Sequence, residues 1–184
     1  MSTSGPRANR AKMIRAIGLH LILGLALASC SGAAIERSDL FSPPAPAALY
    51  AQKLPALDGG TIALADYRGR VLLLDFFATW AQPSVVAIRS YAVLQGKYAD
   101  EGLAVVGVAL DELGRQVVAG YATGMQIPYP VALATEAIRQ GESAFGPLQA
   151  VPTLMVFDRR GRLVRVFVGL VPVERLERLL RQLL

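Results

Sequence analysis

The sequence predicts an α/β domain in which a mixed β-sheet is flanked by helices. Two nearly continuous apolar runs, residues 71–77 and 103–110, are typical of strands buried on both faces. Apolar residues at helical spacing lie between them, and the chain closes with a hairpin pattern and an amphipathic helix. This order of elements is the one expected for a mixed sheet covered by helices. The 184 residues accommodate one such domain with appended segments.

The elements of the first half have clear local signals. Asp58-Gly59-Gly60, between two apolar segments, predicts an N-terminal β-hairpin over residues 54–64. The buried strand 71–77 follows. The helix after it is indicated by apolar residues at steps of three and four, namely Ile88, Tyr91, Leu94 and Tyr98. The next element is the strand 103–110.

The second half is predicted to add two short helices and a hairpin. The helices cover residues 114–121 and 136–145, with an extended segment at 130–133 between them. The turn 158–161 joins two strands, 153–157 and 163–167. The closing helix has one apolar face, formed by Val173, Leu176, Leu179, Leu180 and Leu183.

The N-terminus has the pattern of a bacterial lipoprotein signal peptide. A basic segment precedes an apolar run, residues 16–27, and small residues then lead to Cys30, the only cysteine. A transmembrane helix is the alternative, but the run is short for a span and His20 interrupts it. We therefore predict a signal peptide over residues 1–29, a lipidated Cys30, a flexible tether over 30–49 and a domain over 50–184. Met13 is an alternative start with the same cleavage site.

Charge and composition exclude several functions. The net charge of +5 comes mostly from four basic residues before Cys30, where no acid occurs, so the remaining chain has fifteen basic and fourteen acidic residues and predicts no nucleic-acid partner. With Cys30 lipidated and His20 removed, no thiol or imidazole remains for a dithiol couple, a Cys–His pair or the usual zinc sites. Met125 and Met155 are isolated, so we predict neither a metal nor a cofactor.

Four motifs, in order, carry a resemblance to a known family. They are Asp66-Tyr67-Arg68-Gly69-Arg70, Phe77-Ala78-Thr79-Trp80, residues 106–112 and Val151-Pro152-Thr153. From about residue 50 to the end, the chain resembles the TlpA-like branch of the thioredoxin superfamily. The resemblance implies a thioredoxin-like fold, export, membrane attachment and thiol-disulfide oxidoreductase activity. It also implies that Val151 and Pro152 form the cis-proline loop of the family.

The chain departs from this family at its reactive positions. Ala81 and Ser84 occupy the places of the two cysteines, so we predict no catalytic residue there. A serine nucleophile would need a base that the mature chain lacks, and we expect Ser84 to cap the following helix. Ala81 and Ser84 as engineered replacements of cysteine are a further interpretation.

Two acidic residues match family positions, but no cysteine thiol is present with which they could exchange a proton. Asp75 lies where thioredoxins have a buried acid, and Glu112 lies near an acidic site residue of some members. In an active enzyme such an acid would have a raised pKa and exchange a proton with a cysteine. Both are interpreted here as retained structural polar residues.

The sequence favours a binding role over catalysis. We expect a groove for an extended segment of another exported protein, lined by Trp80, Gln82, Pro83, Val86, Val151 and Pro152. Pro152 as a residue that only shapes its loop, and Val85 as a core residue, are the structural alternatives. Thiol-disulfide oxidoreductase activity in periplasmic disulfide reduction or cytochrome c maturation is the alternative function. The predicted location is the envelope, facing the periplasm, and Ser31 after Cys30 favours the outer membrane.

Overall fold

The computed structural model describes residues 35–36 and 44–184, so the predicted signal peptide and Cys30 lie outside the described residues. The strands are β1 (Ile35–Glu36), β2 (Lys53–Pro55), β3 (Thr61–Ala63), β4 (Val71–Phe77), β5 (Leu103–Ala109), β6 (Val131–Leu133), β7 (Thr153–Phe157) and β8 (Leu163–Val168). The helices are α1 (Pro46–Tyr50), α2 (Gln82–Tyr98), α3 (Arg115–Gly124), α4 (Glu136–Arg139) and α5 (Val173–Leu183). No helix in the described part of the chain is long and apolar enough to span a membrane.

The main sheet is mixed and has β4 near its centre. Its order is β1-β8-β7-β4-β5-β6, and β2 and β3 form a separate antiparallel hairpin. Strand β4 pairs in parallel with β5 and antiparallel with β7, while β5 and β6 are parallel. This is the predicted thioredoxin-like α/β fold with its N-terminal hairpin, and that prediction is confirmed.

The central strand separates two hydrophobic cores. All seven residues of β4 are buried, and alternate side chains point to opposite faces. Leu73 and Phe77 pack with α2, α3 and α5, whereas Leu74 and Phe76 pack with residues of α1 and α4 on the other face. Each fully buried apolar side chain contributes about 2 kcal/mol of transfer free energy, so the strand is firmly fixed. A rigid β4 places the turn that follows it.

The structured region begins earlier than the predicted boundary at residue 50. Helix α1 starts at Pro46, and Leu49 within it is fully buried. Proline at the first helical position has a backbone angle suited to a helix, so part of the proline-rich segment forms α1 instead of an extended tether. In addition, β1 pairs with β8 inside the predicted tether.

The predicted helix over residues 136–145 is wrong in its length. Helix α4 ends at Arg139, and Gly141 shortly after it has a φ of 76°. A residue in this left-handed region terminates a helix, and glycine adopts it at low cost.

Candidate functional site

The turn after β4 connects the central strand to α2. The Ala81 N–H donates a hydrogen bond to the Ala78 carbonyl at 3.1 Å, and α2 then begins at Gln82. Pro83 lies in the first turn of the helix, where its missing N–H leaves no helical hydrogen bond unmade. The turn therefore sits at the carboxyl end of a buried strand and at the N-terminus of a long helix.

Ala81 and Ser84 are both turned inward. Ala81 is 7% exposed and Ser84 is fully buried. The prediction that Ser84 caps α2 is wrong, because the N-cap residue is Ala81 and the helix start has no side-chain cap. The Ser84 Oγ has no hydrogen-bond partner among the described residues. The Ser84 hydroxyl is thus buried in the first turn of the helix and caps no backbone N–H group.

The residues beside this turn expose apolar surface. Trp80, the only tryptophan in the chain, is 72% exposed, and Val86 on α2 is 55% exposed. Gln82 and Pro83 are exposed between them, whereas Val85 is half-buried. Four predicted groove residues are thus accessible to a ligand.

The loop before β7 lies next to the end of β4. Thr153 of β7 pairs with Phe76, and the Val151–Pro152 peptide bond is cis. The Thr153 hydroxyl donates to the Ala150 carbonyl at 2.6 Å, and the Pro152 carbonyl accepts from a backbone N–H at 2.8 Å. Pro152 is buried, so this predicted groove residue shapes the loop and is closed to a ligand. Val151 is half-buried, and neither its N–H nor its C=O is hydrogen-bonded to a described residue.

Asp111 ties the turn to the end of β5, a contact that the sequence analysis missed. Its carboxylate accepts from the Thr79 N–H at 3.0 Å and from the Thr79 hydroxyl. Asp111 is buried, whereas the neighbouring Glu112, singled out from the sequence, is exposed. The detectable signal was an acid directly after a buried strand. A surface depression of about 770 Å³ adjoins Asp111 between the ends of β5 and β6.

Asp75 is a buried acid without a hydrogen-bond partner. It lies in the middle of β4, between Gly107 of β5 and Leu154 of β7. Both of its carboxyl oxygens are buried and unpaired within the described structure. Burial raises the pKa of Asp75 to about 8, so the carboxyl is mostly neutral at pH 7.

Three tyrosine hydroxyls share this buried environment, and nothing in the sequence pattern marked them. The hydroxyls of Tyr91, Tyr121 and Tyr129 are buried and lack partners among the described residues. The Tyr129 ring packs over Gly107, the strand neighbour of Asp75, where a Cβ would lie 3.5 Å from the ring. Burial raises the pKa of Tyr91 and of Tyr129, and the Asp75 carboxylate raises both further. The three tyrosine hydroxyls are thus buried near enough to Asp75 for its charge to raise their pKa values.

The site has few groups for covalent or metal chemistry. Residues 31–184 contain no cysteine and no histidine. No cluster of three or more potential metal-binding side chains occurs in the described structure. What the site offers is exposed apolar surface beside the N–H and C=O of Val151, which have no partner among the described residues, and this combination suits binding of a peptide.

Fold and site together define a thioredoxin-like protein, with a strand-to-helix turn facing a cis-proline loop. The chain belongs to the AhpC/TSA family, whose model matches residues 46–166.

Its relatives include thiol-disulfide oxidoreductases. It is 28% identical over 127 residues to thiol-disulfide oxidoreductase ResA of Bacillus cereus, covering 69% of this chain and 71% of that protein. It is 29% identical over 126 residues to thioredoxin-like protein YneN of Bacillus subtilis, covering 67% of this chain and 71% of that protein. A thiol:disulfide interchange protein of Chlorobium tepidum has a similar structure, with a TM-score of 0.65, 29% identity and coverage of 79% and 99%. The resemblance is thereby confirmed at the level of a thioredoxin-like family with oxidoreductase relatives.

Proposed function

We propose that this protein is a redox-inactive, thioredoxin-like envelope lipoprotein of the TlpA-like type that binds an extended segment of another exported protein. The segment lies in a groove formed by Trp80, Gln82, Pro83, Val86 and Val151. Pro152 supports the groove from beneath. The observation that carries the proposal concerns the backbone of Val151. Its N–H and C=O have no hydrogen-bond partner among the described residues.

An unpaired peptide unit at the end of a sheet is a pairing site for another chain. Backbone hydrogen bonds supply affinity when an extended peptide adds to such an edge, and side-chain pockets supply selectivity. Val151 precedes β7, whose register places it beside the end of β4. Pairing at Val151 uses only the backbone, so it does not need a cysteine.

The apolar rim supplies the second part of the affinity. Trp80 is 72% exposed and Val86 is 55% exposed, and both lie beside the turn that faces the Val151 loop. Tryptophan is enriched among the residues that dominate binding free energies, because it buries a large rigid surface. A bound segment with an apolar side chain would cover Trp80 and Val86 while its backbone pairs with Val151.

The side chains at the turn support redox inactivity. Ala81 has no reactive group, and the buried Ser84 hydroxyl has no base, because residues 31–184 contain no histidine. Asp75 has no thiol to exchange a proton with. We interpret Ala81-Gln82-Pro83-Ser84 as a degenerate form of the Cys-x-x-Cys motif.

The proposed location rests on the N-terminal sequence. The basic segment, the apolar run and the small residues before Cys30 support cleavage and lipidation at this cysteine. The domain would then face the periplasm on a lipid anchor. Mass spectrometry of the N-terminal peptide from purified membranes tests this part of the proposal, and an unprocessed N-terminus would contradict it.

The binding role is tested by capture from envelope extract. The full chain is compared with Trp80→Ala and Val86→Asp under reducing and non-reducing conditions. We expect one partner to be retained by the wild type in both conditions and to be lost, by about tenfold or more, in both variants. Val93→Asp is the matched control, because Val93 is 67% exposed on the same helix, two turns farther along. Capture that tolerates the site variants, or that needs non-reducing conditions, would contradict a non-covalent groove.

The oxidoreductase alternative is favoured by the names of the relatives. It requires a thiol, and Cys30 is the only one that the chain has. Reduction of a protein disulfide is therefore measured with the wild type and with Cys30→Ser. We expect neither to exceed the rate of thiol reductant alone, and catalysis by the wild type would favour the alternative.

A further inference from the structure

The register of the sheet places its first strand at the same end as the candidate site. Ile35 of β1 pairs with Val168, and Val168 pairs in turn with Thr153. Thr153 pairs with Phe76, the residue next to the end of β4. Ile35 therefore lies at the carboxyl end of β4, where the chain continues to Trp80.

The short spacing between Cys30 and Ile35 limits where an anchor can lie. Four residues separate them, so their Cα atoms are at most about 18 Å apart even in a fully extended chain. Strand β4 alone has seven residues and is about 23 Å long. The Cα atom of Cys30 can therefore lie no farther than about 18 Å from that of Ile35, which is less than the length of β4.

The same end carries most of the exposed large apolar side chains of the described structure. Five such residues are Trp80, Val86, Val93, Leu113 and Val117. All except Val93 lie just after a parallel strand or in the first turns of the helix that follows it. The hydrogen bonds from Thr79 to Asp111 hold the Trp80 turn beside the segment that contains Leu113, which is 75% exposed.

The turn at the opposite end, residues 158–162, is charged, whereas the Trp80 end has exposed Glu112 and Arg115 beside its apolar side chains. Asp158 and Arg162 form an ion pair within the turn at 2.7 Å, and Arg159 binds backbone carbonyls through its guanidinium. Arg160 is exposed at the same turn. Tryptophan favours the interface between lipid and water, whereas charged side chains remain in water. This difference favours an orientation in which Trp80 faces the lipid and the turn 158–162 faces water.

We propose that the end of the domain that carries Trp80, Val86 and Leu113 rests on the lipid surface to which Cys30 is anchored, with Trp80 in the interfacial layer. The occupant of this apolar end is the bilayer itself. The inference rests on the lipidation in the proposed function. Because the bilayer and a bound peptide would cover the same Trp80 and Val86 side chains, they would occupy this end in turn. It adds an orientation, in which the turn after β4 faces the membrane and the Asp158–Gly161 turn faces away.

The single tryptophan makes the orientation measurable. The lipidated full chain is reconstituted into vesicles of phosphatidylethanolamine and phosphatidylglycerol, with or without bromine on the acyl chains near the headgroups. Brominated lipids quench tryptophan only at short range. We expect Trp80 emission to shift to shorter wavelength on reconstitution and to fall roughly twofold with brominated lipid. Unchanged emission would overturn the proposal.

Two variants show whether the quenching depends on the position of the tryptophan or only on attachment of the protein to the vesicle. The first combines Trp80→Phe with Arg160→Trp, which moves the tryptophan to the charged end, and we expect no quenching. The second inserts about 20 Gly and Ser residues before Ile35, which lengthens the tether, and we expect weaker quenching. Trp80 and Arg160 are exposed, and circular dichroism checks the folding of both variants. Equal quenching at both tryptophan positions would overturn the proposal.

The two proposals fail in distinguishable ways. If mass spectrometry finds no lipid on Cys30, the lipoprotein assignment and this orientation are both wrong, while groove binding still stands. If Cys30 is lipidated and Trp80 is not quenched, only the orientation is wrong.

Discussion

The two ends of the central sheet differ in the exposure of apolar side chains and in the pairing of their polar groups. At the carboxyl end of β4, Trp80 and Val86 are exposed and the Val151 peptide unit has no partner among the described residues. At the other end, Arg159 donates to the backbone carbonyls of Glu101 and Leu184 at 2.9 and 2.6 Å. At the first end, backbone groups without a described partner are available to bind a ligand. At the other end, the polar groups form hydrogen bonds within the domain.

Two aspartates show the same contrast in their pKa values. Burial raises the pKa of Asp75 to about 8, because no described group donates to its carboxyl. Desolvation also acts on Asp158, but hydrogen bonds from Arg162 and Arg160 outweigh it and lower the pKa of this carboxyl. Ionised Asp158 thus stabilises the fold at neutral pH, whereas the buried Asp75 carboxyl, inside β4, carries a desolvation cost when it ionises.

The largest expected effect comes from Asp75→Asn. The pKa of Asp75 is raised in the folded state, so the contribution of this group to stability is greatest below about pH 4 and falls as pH rises to about 8, by on the order of 5 kcal/mol. The neutral amide removes this dependence. Urea unfolding at about pH 5 and about pH 9 should show a flat profile for the variant and greater stability than wild type at the higher pH.

Asp158→Asn is the matched control from the charged end. Because the pKa of Asp158 is lowered in the folded state, its contribution is present above the unfolded pKa and is lost as pH falls. The variant should therefore be less stable than wild type at neutral pH. The same direction of change for both variants at high pH would refute the contrast between the two carboxyls.

The next effect in size is expected from Gly161→Ala. Gly161 has a φ of 74°, and a Cβ there would lie 2.6 Å from the Tyr50 ring, which the Arg68 guanidinium covers from 4.4 Å. We expect a loss of about 2 to 3 kcal/mol in urea unfolding. Gly69→Ala is the control that has backbone strain but no steric clash, because φ of Gly69 is 78° and no atom lies within 4 Å of the added Cβ. We expect this variant to lose about 1 kcal/mol of stability. Equal losses would mean that Tyr50 moves aside.

A smaller effect is expected from Asp111→Ala. This change leaves the Thr79 N–H and hydroxyl without their partner, and we expect a loss of about 1 to 2 kcal/mol in urea unfolding. It should also weaken partner capture, because the Trp80 turn is no longer fixed. Glu112→Ala, at an exposed position, should change stability by less than about 0.5 kcal/mol. A larger effect at Glu112 than at Asp111 would reverse the assignment.

The smallest effect is expected from Ser84→Ala. The Ser84 Oγ is buried without a partner in the described structure, so its removal should be neutral or stabilise the protein by up to about 1 kcal/mol. A residue that capped α2 would instead lose about 1 kcal/mol. Thermal unfolding distinguishes the two signs, and a clear loss would restore the capping role.

The sequence predicted the fold well because its signals are local. The run 71–77, the spacing of Ile88 and Tyr91, and the Asp58-Gly59-Gly60 turn each indicate one element, and each occurs where expected. The extent of α4 was misjudged, and α1 was not predicted. Helix ends depend on single backbone angles, such as φ at Gly141, which periodicity does not reveal.

The candidate site was predictable only in part, because much of it depends on contacts between distant residues. Trp80 and Val86 were recognised from a motif and from helical spacing. Asp111 forms hydrogen bonds with Thr79, which belongs to a separate segment, and the tyrosines near Asp75 come from several elements. Only folding brings these residues together. Burial of Pro152 and of Ser84 was likewise set by packing beyond their own segments.

The central claim, that the carboxyl end of β4 is the binding surface, is tested most directly by site-specific photo-crosslinking in intact cells. A photoreactive residue replaces Gln82, exposed beside Trp80, or Arg160, exposed at the charged end. We predict a discrete protein adduct from position 82, still formed with reductant and lost when Val86→Asp is added, and none from position 160. Adducts from position 160 alone, or equally from both positions, would contradict it.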